Sequence, residues 1–266
     1  VCGDSKIMMV DLAASGDSTP EIVWDWDAHR AEDLPEHYRK EKFNSIDECK
    51  AVNSGNQILI SSSSGAVAII EKNSKSVSFY AEVPNAHSVE LLPGNMLAAA
   101  ASTAENGNKI IIYDLNQSGK ILFTDSLYSA HGLVWDNERK SLYALGYDVL
   151  REYKLLNQKE LKKINEWTIP GISGHDLQMG SGNDKLFITE NLGAWYFDLR
   201  EHSFKKIENF PDQKNIKSLN QNNKGQFLYT VAEESWWAHH VRLLNPERTL
   251  TFPDIRLYKA RWINDN

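Results

Sequence analysis

Three histidines, His87, His131 and His175, stand 44 residues apart, and each opens a short alternating apolar segment. Self-similarity at a fixed period of this length marks a repeat architecture in which every copy is one supersecondary unit. The equal spacing therefore puts the three histidines at one position of a copied unit. Around them the chain is dense in short runs of β-formers bounded by Gly, Asn, Asp and Ser, which read as strands and turns. One unit runs through Asp47–Val52, Gln57–Ser61, Ala66–Ile70 and Ser76–Tyr80, and the units opening at His87, His131, His175 and Lys217 repeat its four strands.

The two ends of the chain complete the count. Tyr258–Ile263 is an opening strand without partners, while Lys6–Leu12 and Glu21–Trp26 are partner strands without an opening strand. Joining them makes a sixth unit, and six units of 44 account for nearly all 266 residues. The prediction is an all-β fold: one six-bladed β-propeller over residues 1–266, with four-stranded antiparallel blades and the last blade closed by the N- and C-terminal strands. Radial repetition of this kind leaves only short, protected sheet edges. A β-sandwich lacks such a period, and a solenoid repeats at shorter intervals. The polar stretch 27–44, with the helix-favouring run Glu36–Lys42, is the one long interruption. It reads as an inserted loop or short helix on the face where the opening strands begin.

Bulk properties narrow the partners. A net charge of −7 supplies no basic face for phosphates, which excludes nucleic acid as the expected ligand. No apolar run reaches membrane-spanning length. The two cysteines, Cys2 and Cys49, are too few for a disulfide framework or a cysteine-based zinc module, and spacing alone leaves open whether they pair. The chain opens directly on strand-like residues, as an exported protein does after losing its targeting segment, so a periplasmic or cell-surface monomer is expected. Small-molecule, glycan and protein partners remain.

In a propeller the first strand of each blade lines a central channel. Phasing the blades on their second strands and on the 44-residue period gives one repeated position: Glu48, His87, His131, His175, Lys217 and Arg261. All six are ionisable, which a packing position would not be. Two residues further on lie Lys50, Val89, Leu133, Leu177, Leu219 and Ile263, so a mostly aliphatic floor is expected beneath a polar ring at the channel mouth. Loops at that mouth add Tyr147, Trp236 and Trp237 as walls, and the insertion brings His29 and Arg30 over the ring. Trp24, Trp26, Trp135, Trp167 and Trp195 lie on or beside strands and are expected between blades. His239 and His240 are adjacent and would point to opposite faces.

Three imidazoles and a carboxylate converging from successive blades suit a divalent metal, Zn, Mn or Fe, with Glu48, His87, His131 and His175 as ligands. The alternative is a ring of histidines bonded to one another and to channel water. Lys217 and Arg261 form a cationic arc able to hold a carboxylate, or else neutralise Glu48 and Asp47. With a metal, His87, His131, His175, Lys217 and Arg261 become a catalytic set for proton abstraction beside a uronate carboxylate or for metal-assisted hydrolysis. The leading expectation is thus a propeller binding an acidic small molecule or oligosaccharide, as a lyase or hydrolase. Its rival is a non-catalytic propeller that binds a glycan or protein. A calcium-dependent hydrolase is disfavoured because such sites use oxygen ligands.

The phrase Ala86–Leu97, with Val23-Trp-Asp-Trp26 and Tyr258-Lys-Ala-Arg-Trp262, resembles the uncharacterised six-bladed propeller proteins of gut Bacteroidetes and related bacteria along the whole chain. That resemblance implies the fold and export. A looser resemblance is to oligogalacturonate lyases, propellers in which histidines of successive blades bind a divalent metal beside basic residues. It implies the same roles for His87, His131 and His175, although the blade count differs and Glu48 would replace a neutral ligand.

Overall fold

The computed structural model describes residues 1–156 and 160–263. Its N-terminal sheet holds β1 (Cys2–Gly3), β2 (Lys6–Asp11) and β3 (Glu21–Asp27). Five four-stranded antiparallel blades follow. Blade one is β4 (Ile46–Val52), β5 (Gln57–Ser62), β6 (Ala66–Glu71) and β7 (Val77–Glu82). Blade two is β8 (Ala86–Leu92), β9 (Met96–Ala101), β10 (Lys109–Asp114) and β11 (Ile121–Ser126). Blade three is β12 (Gly132–Asp136), β13 (Ser141–Leu145), β14 (Val149–Leu156) and β15 (Glu160–Thr168). Blade four is β16 (Asp176–Met179), β17 (Lys185–Glu190), β18 (Gly193–Asp198) and β19 (Ser203–Lys206). Blade five is β20 (Ile216–Gln221), β21 (Phe227–Val231), β22 (His240–Leu244) and β23 (Arg248–Thr251).

The sixth blade closes the ring as expected. The C-terminal segment lies beside β1: the Cys2 amide donates to the Lys259 carbonyl at 3.1 Å, and the Tyr258 amide donates to the Cys2 carbonyl at 3.0 Å. The segment around Leu257–Lys259 is therefore the innermost strand of a blade whose other three come from the N-terminus. Gly3 faces this seam, where a Cβ would sit 2.1 Å from the Arg256 carbonyl oxygen, so a side chain there would force the seam apart.

Strand alternation builds the core. Ile58 and Ile60 pack toward the sixth blade, while Leu59 between them packs toward blade two with Val67, Val89 and Leu97. Side chains of a strand point alternately to opposite faces, and both faces of these middle strands are covered. Each large aliphatic fully buried in this way stabilises the fold by about 1.5–3 kcal/mol. Trp24 and Trp26 join the sixth-blade cluster, Trp135 and Trp167 the clusters beside blade three. Trp195 instead donates its Nε1 hydrogen to Glu190 at 3.0 Å.

The insertion after β3 is short turns rather than a regular helix. Asp27 caps a turn at Ala28–Arg30, a single wound turn covers Tyr38–Lys42, and Leu34, Tyr38 and Phe43 anchor the stretch in the same apolar cluster. That cluster also holds Cys2 and Cys49, both free buried thiols.

Candidate functional site

The innermost strands carry a shared irregularity that aims side chains at the channel mouth. In blade one Ile46 pairs with Ser62 and Glu48 with Ser61, so Asp47 is bulged out of register. His87 is skipped in the same way between Ala86 and Ser88, and Lys217 between Ile216 and Ser218. A bulge leaves one residue unpaired and re-aims its side chain. In blades three and four the equivalent residues, His131 and His175, precede the strand, their amides donating to Leu145 and Thr189 carbonyls at 2.9 and 2.8 Å. A recurrent bond fixes the phase of the ring. Ser88 accepts from the Leu133 amide, Asp176 from the Leu219 amide and Ser218 from the Ala260 amide. Each acceptor follows the mouth residue by one position, so the mouth ring is Asp47, His87, His131, His175, Lys217 and Tyr258.

One level deeper the channel is plugged by ions. Arg261 donates from Nε and Nη2 to the two oxygens of Glu48, both at 2.8 Å, and from Nη1 and Nη2 to Asp176 at 2.8 and 2.6 Å. Lys259 sits 3.3 Å from both carboxylates and also donates to the His87 carbonyl at 2.9 Å. Burial would raise the carboxyls of Glu48 and Asp176, but Arg261 and Lys259 hold both below the ordinary range. A third buried lysine, Lys50, donates to Glu90 at 2.9 Å and to the Leu133 carbonyl at 2.6 Å further down.

Above the plug opens a cavity of about 570 Å³. Its base is Asp47, His87, His131 and His175, and its walls mix hydroxyl and amide side chains, Ser45, Ser63, Ser64, Asn85, Ser102, Thr103, Ser129 and Ser173, with the aromatic Tyr128, Tyr147, Trp236, Trp237 and Tyr258. His87 and His131 stack with ring centres 4.2 Å apart, and His175 meets His131 edge-on at 5.8 Å. His131 directs Nδ1 to the Ser129 carbonyl at 2.9 Å. Asp47 accepts from the Ser63 amide through Oδ2, leaving Oδ1 without a partner 3.8 Å from an equally unpartnered His87 Nδ1. His175 Nδ1 is also buried and unpartnered.

Burial sets the protonation of this cup. It pushes the Asp47 carboxyl up to about 7 and His131 down to about 4. It takes His87 and His175 well below the ordinary imidazole range, with neighbouring His131 and Lys217 adding to the shift. Burial alone takes Lys217 down to about 8. At neutral pH the cup therefore presents neutral imidazoles and a carboxyl near its midpoint, all able to donate and accept hydrogen bonds.

Several expectations need correction. His87, His131 and His175 do meet at the mouth, and Tyr147, Trp236 and Trp237 do wall it. Glu48 and Arg261 lie in the plug one level below, and Asp47 and Tyr258 take their places in the ring. The metal set Glu48, His87, His131 and His175 is not assembled, because Glu48 is engaged by Arg261 and Lys259 and the stacked imidazoles present faces to each other. Among the described residues no three His, Cys, Asp or Glu side chains are placed to hold a metal ion. The floor is ionic rather than aliphatic. Residues Val89, Leu133, Leu177 and Leu219 sit in inter-blade clusters instead. His29 and Arg30 do not line the cavity, and His29 is tied to Asn44 at 2.8 Å. His239 and His240 do diverge, toward the Ile255 carbonyl and Glu233 respectively. Sequence reading passed over Asp176, Tyr258 and Lys259, although Asp176 adjoins a phased histidine.

The molecule is a six-bladed β-propeller whose channel is sealed by a buried ionic cluster and open at one end as a polar, aromatic-walled cup. The chain belongs to the family of unknown function DUF6528, whose model matches residues 6–266. Comparison with curated proteins yields no match. Among solved structures, the β-propeller domain of Cps50 (Swd1) from Myceliophteria thermophila is similar, with a TM-score of 0.54 and 16% identity. The match covers 74% of this chain and 64% of that one, so the chain spans under two thirds of that domain's length, and the likeness is one of fold. No helix among the described residues is long and apolar enough to cross a membrane.

Proposed function

We propose that the channel mouth binds a small polyhydroxylated ligand, a mono- or oligosaccharide without a required charge. The observation that carries this reading is the set of three buried polar atoms without partners, Asp47 Oδ1, His87 Nδ1 and His175 Nδ1, on residues in the wall of one cavity. A buried polar atom left unpaired costs about 1–3 kcal/mol, and a ligand hydroxyl, which both donates and accepts, relieves it. The aromatic residues of the cup suit the apolar face of a sugar ring, and its serines suit the ring hydroxyls. A required carboxylate is disfavoured: the Arg261 fork is engaged by Glu48 and Asp176, and Lys217 lies behind His175 and Trp236. Titration calorimetry with neutral and uronic saccharides tests the reading. Saturable binding of a neutral sugar, weakened at least about tenfold in His87→Ala, is the expected result; preference for uronates alone would count against it.

A second reading, proton transfer on the bound sugar, is favoured by the 3.8 Å approach of Asp47 to His87, a carboxyl held near neutrality beside a neutral imidazole. It is separated from simple binding by incubating the protein with the saccharide that binds most tightly and looking for cleaved or unsaturated product.

A further inference from the structure

The three lysines buried along the channel are not alike. Lys259 faces Glu48 and Asp176, and Lys50 faces Glu90. Lys217 is 2% exposed, yet among the described residues no carboxylate lies within ion-pair reach of its amine. An uncompensated ammonium in such a place is costly, so its neighbours have to account for it. Those neighbours are His175 Nε2 at 2.9 Å and the ring of Trp236, whose centre is 5.4 Å from Nζ.

The histidine contact accommodates an uncharged amine. A ring nitrogen carries either one hydrogen or one lone pair. His175 Nε2 also lies 3.0 Å from Asn191 Oδ1, which only accepts. Both contacts are met at once when Nε2 carries the hydrogen and shares it with Asn191 and with the lone pair of Lys217. That is the free amine, the nucleophilic form of lysine, which an amine brought down to about 8 holds as a minor fraction at neutral pH and as the major form above about pH 8. The aromatic ring beside the amine is itself open to solvent. Trp236 is 62% exposed on the loop after β21, whereas its neighbour Trp237 is packed against Tyr258 and Arg256.

We propose that Lys217 is a nucleophilic amine that captures the carbonyl carbon of an aldehyde-bearing ligand at the channel mouth as an imine, with Trp236 as its cover. The Nζ lone pair forms the C–N bond as the carbonyl π pair moves to oxygen. The two amine hydrogens then pass to that oxygen, which leaves as water and gives a C=N bond with no change in oxidation state. The open-chain aldehyde of a reducing sugar is one such ligand, but the step does not require the saccharide reading to hold.

The test treats the intact protein and Trp236→Ala with glycolaldehyde and cyanoborohydride, which fixes imines as secondary amines, and maps labelled lysines by peptide mass. Lys217 is expected to label at least about tenfold faster than exposed Lys162 in Trp236→Ala, and faster than Lys162 in the intact protein as well. Lys217→Arg should lose that label and no other. Labelling of Lys217 no faster than Lys162 in both the intact protein and Trp236→Ala overturns the proposal. Methyl glycosides, which have no free aldehyde, report sugar binding separately, so failure of either reading is recognised without the other.

Discussion

Arg261 lays its guanidinium across both carboxylate oxygens of Glu48, with two contacts of 2.8 Å, and so ties the C-terminal strand of the closing blade to the innermost strand of blade one. Both side chains are buried, so the pair is shielded from salt. Removing one partner strands the other in a low-dielectric site, which costs about 3–5 kcal/mol. Glu48→Ala is expected to lose about that much stability, read as a lower urea midpoint.

The unequal lysines give a paired prediction. Lys259→Met leaves Glu48 and Asp176 to share Arg261 and is expected to destabilise by about 3–5 kcal/mol. Lys217→Met removes an amine with no anionic partner and is expected to change stability by less than about 1 kcal/mol or to raise it. Chemical denaturation of the two variants side by side checks the contrast.

Burial moves Asp47 and His131 in opposite senses, and stability should follow. The Asp47 carboxyl sits at about 7 instead of its ordinary 3.8, so between those values the folded state holds a proton the unfolded chain has lost. Its contribution is therefore present in acid and lost as pH rises through about 7. His131 sits at about 4 instead of 6.5, so in that window the unfolded chain holds the extra proton, and stability is lost as pH falls. Asp47→Asn should raise the melting temperature near pH 8 by several degrees more than near pH 4. His131→Gln should flatten the loss between about pH 6.5 and 4. Melting curves across this range read both.

Aromatic walls should contribute to affinity according to how firmly they are held. Trp237 is fixed between Tyr258 and Arg256, its ring centre 5.8 Å from that of Tyr258 and 5.4 Å from Arg256 Cζ, and stands in the cavity wall ready to stack. Trp237→Ala is expected to weaken sugar binding by about tenfold or more, with the melting temperature little changed. Calorimetry on the folded variant measures it.

The blade count, the closure of the ring and the meeting of His87, His131 and His175 were legible in the sequence because they rest on the period, which survives small irregularities. The register within a blade was not. The hairpin between β4 and β5 spans residues 53–56, one longer than the 93–95 turn between β8 and β9, so matching Gly55-Asn56 to Gly94-Asn95 set Glu48 where Asp47 belongs. A one-residue slip moves a side chain to another level, and here it exchanged a plug carboxylate for a mouth carboxyl. Blade five is shorter than the period, so stepping 44 residues from Lys217 reached Arg261 and overshot Tyr258. Charge type alone could not show that Arg261 is already engaged, because its two partners come from blades one and four.

Imidazole NMR tests most directly whether the unpartnered atoms of the cup receive ligand hydroxyls. The chain has eight histidines, of which three stand in the cup. Titrating a neutral saccharide into protein labelled at histidine nitrogens should shift the His87 and His175 Nδ1 signals saturably while leaving His29, His37 and His202 unchanged. If no neutral saccharide moves the His87 and His175 signals in a folded sample, the cup is not a saccharide-binding site.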